Sequence, residues 1–324
     1  MYLGVITKAF QNLPLDEALD AIIGLGVTAV EIGTGNYNGN QHCNPSELLA
    51  DRAALLKFQS ALADRGMRVT ALGCHGNPLH PDAAVASEHD RVFRATVLLA
   101  RELGVERITL LSGCPGGSPE SAEPNWVTCG WPTDFPAILE WQWRERVIPY
   151  WRASADYAAD HGVPMLCFEM HPGCVVYNPP SLLRLREAVG PVIGANLDPS
   201  HLMWQGIDVI EVIRLLGQDQ LIYHVHAKDT ALNPAVVRWA GVLDTTPLER
   251  QRDRAWTFRT VGFGHDALFW KTFVSTLRES GYDDVLSIEH EDALAGRHDG
   301  VRKAVGFLQE CTLTEAPADP WWTD

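Results

Sequence analysis

The sequence predicts an α/β protein, a single (β/α)8 TIM barrel with long insertions in its βα loops. Short apolar runs rich in Val, Ile and Leu alternate with segments of helical periodicity along nearly the whole chain, which is typical of a buried parallel sheet. Strand and helix patterns are not segregated into separate blocks, as they would be in two domains. We therefore expect one barrel domain over residues 1–324, because a barrel of about 250 residues with insertions reaches this length.

Eight apolar runs are the predicted strands. They are residues 2–7, 28–33, 67–73, 106–112, 164–170, 192–198, 220–227 and 284–290. The segment 15–26 between the first two is amphipathic, since Leu15, Leu19 and Ile22 fall on one helical face. Several strands are introduced by Gly-Val or Gly-Met, as at Gly104, and a glycine that ends a helix before a strand is the expected chemistry of an αβ loop.

Two connections, 113–135 and 229–262, are too long to be simple turns. Both follow predicted strands, so we expect them to emerge at the catalytic face of the barrel and to cover its mouth. At least one of Trp126, Trp131 and Trp239 is expected to line the pocket beneath them. An indole face there would pack on apolar sugar C–H faces or aromatic groups, although these Trp side chains are equally suited to covering the rim of the core.

Composition excludes several classes of function. The chain has 41 acidic and 26 basic residues and a formal net charge of −15, which argues against a nucleic-acid partner and against an anionic membrane surface. No apolar run approaches the ~20 residues of a membrane span, and the start of the chain lacks a signal-peptide pattern. The seven cysteines include no CxxC pair, so a disulfide framework is not expected. We expect a soluble protein of a reducing cytoplasm.

Four acidic or imidazole residues stand where four predicted strands end. These are Glu169 in MLCFEMHP, Asp198 in ANLDPSH, His226 in IYHVHAKD and Glu289 in LSIEHED. In a closed barrel the carboxyl ends of the strands converge on one face, so these side chains can meet around a single ion. Two Glu, one Asp and one His form a donor set suited to Mn²⁺, Mg²⁺, Co²⁺ or Zn²⁺.

Each of these residues alone has a simpler explanation. Asp198 precedes Pro-Ser and can cap the next helix, and Glu289 can belong to a solvated loop. Glu169 directly follows an apolar run, where a buried carboxylate without a partner costs several kcal/mol. Four strands that all end in oxygen or nitrogen donors are harder to explain by helix caps.

Spacing separates ligands from neighbouring polar residues. His224 and His226 share one face of their strand, and His226 lies nearer its carboxyl end, so it is the predicted ligand and His224 lies deeper. His201 can face the same cavity across the turn and is a candidate substrate contact. His171 and Lys228 each follow a predicted ligand by two residues and are further candidates.

The motifs that carry these residues resemble the xylose isomerase-like TIM-barrel superfamily, in its branch of sugar phosphate isomerases and epimerases. The matching motifs are FEMHP (168–172), NLDPSH (196–201), HVHAKD (224–229), GNPLHP (76–81) and the run 261–292. The resemblance covers most of the chain. It implies that His201 touches substrate oxygens, and His171, Lys228, His75, Trp126 and Trp131 are the further candidate substrate contacts.

The resemblance further implies that Glu169, Asp198, His226 and Glu289 bind one divalent metal ion, with Mn²⁺ the first choice and Mg²⁺, Co²⁺ and Zn²⁺ the alternatives. The two glutamates would be the catalytic acid/base groups of an isomerase or epimerase that acts on a keto-sugar or keto-inositol through an enediolate. Ketose epimerases carry an Arg where this chain has residues 230–232, Thr-Ala-Leu, which argues against free-hexulose 3-epimerase activity.

Three other functions remain open at this point. The same enolate can expel a group β to the carbonyl, which would make the chain a lyase, the large subunit of a C- or O-glycoside deglycosidase that acts on 3-oxo-glycosides beside a smaller partner subunit. An isomerase is instead expected to be a homo-oligomer with a small carbohydrate as substrate.

An apurinic endonuclease shares the fold but needs more zinc ligands and a basic face. A non-enzymatic sugar-binding protein would not retain four costly buried polar groups.

Overall fold

Eight parallel strands form a closed barrel in the computed structural model, which describes residues 1–316. The barrel strands are β1 (Tyr2–Ile6), β2 (Ala29–Gly33), β3 (Arg68–Gly73), β4 (Arg107–Leu110), β5 (Met165–Glu169), β6 (Ile193–Leu197), β7 (Ile222–Ala227) and β10 (Val285–Ile288). Each lies inside one of the eight predicted runs, and β10 closes the barrel by pairing with β1 and β7. The predicted (β/α)8 barrel is confirmed. The predicted domain also includes residues 317–324, which lie outside the described part of the chain.

Helices surround the barrel. They are α1 (Leu15–Ile23), α2 (Pro45–Ala50), α3 (Arg52–Ala63), α4 (Ala83–Leu103), α5 (Asp134–Gln142), α6 (Ile148–Asp160), α7 (Pro179–Val189), α8 (Pro199–Met203), α9 (Val209–Gly217), α10 (Pro234–Ala240), α11 (Ala267–Glu279) and α12 (Arg297–Cys311). Helix α4 ends at Gly104, whose φ of 67° is the left-handed conformation that favours glycine. No helix of residues 1–316 is both long and apolar enough to cross a membrane.

The core lies between the strands and the helices, and apolar periodicity builds it. In α9 the side chains of Val209, Val212, Ile213 and Leu216 are buried, which is the spacing of one helical face. The helix begins at Asp208, whose carboxylate accepts the backbone N–H groups of the first turn. Packing of this kind fixes the strands, and the strands fix the positions of the residues at their carboxyl ends.

The insertion 229–262 contains regular structure, which the sequence did not indicate. Strands β8 (Asp229–Leu232) and β9 (Trp256–Arg259) form an antiparallel ribbon, and α10 lies between them. A small apolar cluster joins the ribbon to the segment after α8, and in it Trp256 stacks on Trp204 with ring centroids 4.6 Å apart. We call residues 229–262 the ribbon insertion.

The insertion 113–135 has no regular structure before α5 begins at Asp134. Two buried amides fix it to the barrel. Asn77 exchanges hydrogen bonds of 2.9 Å with the backbone of Cys114, and Gln142 donates to three loop carbonyls, including that of Asn125 at 2.6 Å. Because its backbone is held by buried side chains, this loop forms a fixed wall beside the mouth of the barrel.

Candidate metal centre

The structure brings together the four residues that the sequence predicts as metal ligands. Glu169 is the last residue of β5 and His226 lies near the end of β7, while Asp198 and Glu289 directly follow β6 and β10. Each of the four offers one ligand atom, and these atoms lie within 4.8 Å of one another. The convergence follows from closure of the barrel, because the carboxyl ends of parallel strands meet at one face.

The imidazole of His226 has a carboxylate against each ring nitrogen. Its Nδ1 lies 3.2 Å from Glu169 Oε2 and 3.4 Å from Glu289 Oε2, and its Nε2 lies 3.0 Å from Glu31 Oε2. Burial opposes a charge on this ring, but Glu31, Glu169 and Glu289 outweigh it and raise the pKa of His226 well above its ordinary value. The carboxylates therefore demand a positive charge at this point, which either an imidazolium or a bound cation can supply.

Asp198 combines the two roles that the sequence left open. Its Oδ1 accepts the backbone N–H of Ser200 at 2.8 Å and so caps α8. Its Oδ2 is buried and has no hydrogen-bond partner among residues 1–316. Burial raises the pKa of Asp198 to about 6, although His201 and Lys228 favour its ionised form.

His201 and His75 each direct a ring nitrogen that has no hydrogen-bond partner toward Glu169. His201 Nε2 lies 3.1 Å from Glu169 Oε1 and 3.3 Å from Asp198 Oδ2, and His75 Nε2 lies 3.4 Å from Glu169 Oε2. Within the described chain neither nitrogen has a hydrogen-bond partner. Buried polar atoms without partners are costly, so a cluster of them around one point fits a site that is completed by an ion and by substrate oxygens.

Burial opposes ionisation of Glu169, but the imidazoles of His201, His226 and His75 outweigh it and hold the pKa of Glu169 well below its ordinary value. The pKa of Glu289 is also lowered, because Lys228 and His226 overcome its burial. Both glutamates are therefore ionised at neutral pH. An ionised carboxylate can act as a metal ligand and as a proton acceptor.

Lys228 is a buried cation beside the four residues. Its Nζ lies 3.1 Å from Glu289 Oε2 and 2.5 Å from Glu291 Oε2, and it sits 4.1 Å from the ring centroid of Phe258 in the ribbon insertion. Burial disfavours the charge, but Glu289 and Glu291 outweigh it and raise the pKa of Lys228 well above its ordinary value. The ribbon insertion thus contacts Lys228 at the site through the ring of Phe258.

A cavity of about 400 Å³ opens above these residues. Four of the predicted substrate contacts line it, namely His75, His171, His201 and Lys228. Residues that the sequence did not indicate also line it, and they include Lys8, Tyr37, Asn38, Asn77 and Glu291. Cys114 and Pro124 bring the loop 113–135 to its wall, as expected of a loop at this face.

Trp126, Trp131 and Trp239 do not line this cavity, contrary to expectation. Trp126 packs edge-on against Tyr177 with ring centroids 5.5 Å apart. Trp131 is 74% exposed, and Trp239 in α10 is 80% exposed. The loop 113–135 reaches the cavity through Cys114 and Pro124 instead, and the ribbon insertion contacts Lys228 through Phe258.

Sequence reasoning also missed Glu31 in β2, which is fully buried and contacts His224 and His226. Its signal was present, because a carboxylate inside the apolar run AVEIG is as unusual as Glu169 in LCFEM. His224 and His226 are both fully buried. Asn196 was missed as well, and its Nδ2 lies 3.2 Å from Glu169 Oε2.

Within residues 1–316, three groups of side chains have the proximity that a metal ion needs. Besides the predicted four, they are Glu31 with His224 and His226, and Glu169 with His171 and His201. The group at Glu31 is already joined by hydrogen bonds of 2.9 and 3.0 Å. Only the predicted four combine three carboxylates with an imidazole and an unpartnered oxygen, so their donor set fits a divalent cation best.

Comparison with known proteins agrees with the barrel fold. Residues 19–311 match the family described as xylose isomerase-like TIM barrel. The uncharacterized protein YfiH of Bacillus subtilis (strain 168) is 37% identical over 312 residues, which cover 96% of this chain and 99% of the relative.

Solved structures share the fold at low identity. The IolI protein with a bound zinc atom superposes with a TM-score of 0.66 at 18% identity, covering 96% of this chain and 98% of that one. An L-ribulose 3-epimerase superposes with a TM-score of 0.60 at 17% identity, covering 96% and 94%. With its barrel, its converging donor residues and a family match over most of its length, the chain belongs to the xylose isomerase-like TIM-barrel family.

Proposed function

We propose that the chain is a divalent-metal-dependent sugar isomerase or epimerase that abstracts a proton α to the carbonyl of a keto-sugar, a keto-inositol or a related carbohydrate. One observation carries the proposal. Glu169 and Glu289 approach Nδ1 of His226 to 3.2 and 3.4 Å from strands on either side of β7. An ionised carboxylate at this point can accept a proton from the substrate, and a carboxylate that has been protonated can return one.

Glu169, Asp198, His226 and Glu289 are the residues that would hold the ion, with Mn²⁺ as the first choice. A divalent cation there would stabilise negative charge on a substrate oxygen as a Lewis acid. The donor set does not discriminate among Mn²⁺, Mg²⁺, Co²⁺ and Zn²⁺. The zinc atom of the IolI structure shows that a protein with a similar barrel binds a divalent cation.

The chain's own groups supply the proton transfers. One glutamate accepts the proton α to the carbonyl, and negative charge develops on the carbonyl oxygen. Return of the same proton to the neighbouring carbon by that glutamate gives isomerisation. Epimerisation requires the second glutamate to take a proton from solvent and deliver it to the other face of the same carbon, while the first glutamate loses its proton to solvent. His201 and His75 present unpartnered nitrogens beside Glu169 and can bond to substrate hydroxyl groups.

The charges around the cavity favour an uncharged substrate. Glu169, Glu289 and Glu291 line the cavity and Asp198 lies beside it, so carboxylates outnumber the ammonium groups of Lys8 and Lys228. Lys228 is already paired with Glu289 and Glu291, and no Arg lines the cavity within residues 1–316. A phosphorylated sugar would need a free cationic group that this arrangement does not offer.

Hydrogen exchange with solvent tests the proposal without knowledge of the product. The Mn²⁺-supplemented protein would be incubated in D2O with a panel of free ketoses, keto-inositols and 3-oxo-glycosides, and recovered compounds would be analysed by NMR and mass spectrometry. We expect deuterium on the carbon α to the carbonyl of at least one compound. Release of an aglycone would assign the β-eliminating lyase instead. Product formation with complete retention of a label on the migrating carbon would indicate hydride transfer and would contradict the proposal.

A further inference from the structure

Glu31 of β2 lies beneath the metal centre and is fully buried. Its Oε2 accepts hydrogen bonds from Nε2 of His226 at 3.0 Å, from Nε2 of His224 at 2.9 Å and from Oγ of Ser287 at 3.0 Å. Its Oε1 accepts a hydrogen bond from Oγ1 of Thr109 at 2.6 Å. Donors from three other strands thus surround one carboxylate, and His226 is the one that also belongs to the candidate metal centre.

The contact with Glu31 determines which nitrogen of His226 can bind an ion. An ionised carboxylate can only accept hydrogen bonds, so the Nε2 of His226 that faces it must carry the hydrogen. In a neutral imidazole the other nitrogen, Nδ1, then bears the lone pair. Nδ1 is the atom that faces Glu169 and Glu289. The tautomer that Glu31 selects is therefore the one whose lone pair points into the site.

We propose that Glu31 is a positioning residue, which fixes the tautomer and ring orientation of His226 and raises the affinity of its Nδ1 for a divalent cation. The inference rests on the proposed metal-dependent function and deepens it. Carboxylates that accept the second N–H of a ligand histidine act in this way in metalloproteins generally. Glu31 does not touch the cavity, so it acts only through His226.

The group of Glu31, His224 and His226 has an alternative interpretation as a second ion site. The hydrogen bonds argue against it. Glu31 already accepts four of them, and an ion between Glu31 and the two rings would require both Nε2 atoms to lose their hydrogens. The geometry therefore points to an anion that is held by donors, and the number of ions bound per chain separates the two cases.

Metal affinity tests the role of Glu31. Dissociation constants for Mn²⁺ would be measured by the electron paramagnetic resonance signal of the free ion for the parent, for Glu31→Gln and for Thr276→Val. Glu31→Gln keeps the shape but removes the charge, and we expect its affinity to fall about 10- to 100-fold. Thr276 is a buried hydroxyl of α11 that bonds to the carbonyl of Thr272 within the same helix, so Thr276→Val should bind Mn²⁺ as the parent does.

A second measurement uses the parent protein and remains informative even where Glu31→Gln does not fold. In the Zn²⁺-loaded protein, long-range ¹H–¹⁵N correlation spectra assign the hydrogen of each imidazole nitrogen. We expect Nε2 of His226 to be protonated and Nδ1 to lack a hydrogen. The reverse assignment, or a Glu31→Gln variant that is folded and binds Mn²⁺ as tightly as the parent, would overturn the role of Glu31, and so would two ions per chain. Failure of the parent itself to bind any ion would instead overturn the proposed metal-dependent function.

Discussion

Nδ1 of His226 lies 3.2 Å from Oε2 of Glu169, although the two residues belong to different strands of the barrel. A nitrogen lone pair and a carboxylate oxygen repel each other at this distance, so the contact is stable only with a proton or a cation between them. A proton on His226 satisfies it when no ion is bound, and an ion must displace that proton. The four residues are therefore an acid/base cluster and a candidate metal centre at once.

The first prediction concerns the two glutamates. Glu169→Gln or Glu289→Gln removes a base and a ligand charge together, so we expect the turnover rate to fall at least ~10³-fold, as general-base and electrostatic effects combine. Steady-state kinetics on any substrate found by deuterium exchange would measure the change. Glu310→Gln on the exposed face of α12 is the matched control and should leave the rate unchanged. A Glu169→Gln enzyme within tenfold of the parent would assign the base to another residue.

The second prediction contrasts His201 with Trp131. His201 offers an unpartnered Nε2 to the substrate, and loss of a hydrogen bond to a group that carries charge in the transition state costs about 1.5–3 kcal/mol, so His201→Leu should lower kcat about 10- to 100-fold. Trp131 is 74% exposed, and Trp131→Ala should leave both kcat and KM unchanged. A raised KM in Trp131→Ala would restore the sequence-based expectation that this indole contacts substrate.

The third prediction concerns the anchor of the ribbon insertion. The carboxylate of Asp229 accepts four backbone N–H groups, of Thr230, Gly262, Gly264 and His265, at 2.8 to 3.1 Å. An amide at this position would turn its NH2 group toward some of these donors. Asp229→Asn should therefore lower the free energy of unfolding by about 2 kcal/mol or more in urea titrations.

Asp208→Asn is the control for Asp229→Asn. It replaces the cap of α9 by an equally good capping residue and should have little effect on the free energy of unfolding. Equal effects of the two substitutions would show that the hydrogen bonds at Asp229 contribute no more than an ordinary helix cap.

The fourth prediction is a pH dependence. Burial opposes ionisation of Asp292, but hydrogen bonds from Thr260, Leu294 and Arg259 outweigh it and lower the pKa of Asp292. Because its pKa in the folded state lies below the unfolded value of about 4, its contribution is complete above that value and is lost as the pH falls through the folded pKa. Asp292→Asn should lower the free energy of unfolding at neutral pH by about 1.5–3 kcal/mol. The difference in the free energy of unfolding between the parent and Asp292→Asn should shrink in acid. A difference that grows in acid would contradict a lowered pKa of Asp292.

The sequence predicts the barrel well because buried parallel strands are continuous apolar runs. Glu169 and Asp198 stand out for the same reason, since each interrupts or ends such a run. The ribbon insertion was not predicted, because its two strands are short and pair across an intervening helix. The contact between Glu31 and His226 could not be predicted either. The two residues are far apart along the chain, and closure of the barrel brings them together.

Anomalous diffraction from crystals of the Mn²⁺-loaded protein, recorded at the manganese absorption edge, tests the central claim most directly. The account predicts one strong peak per chain, within ~2.0–2.6 Å of donor atoms of Glu169, Asp198, His226 and Glu289. Absence of a peak at these four residues in protein that is folded and saturated with Mn²⁺, or a peak confined to another part of the molecule, would contradict it.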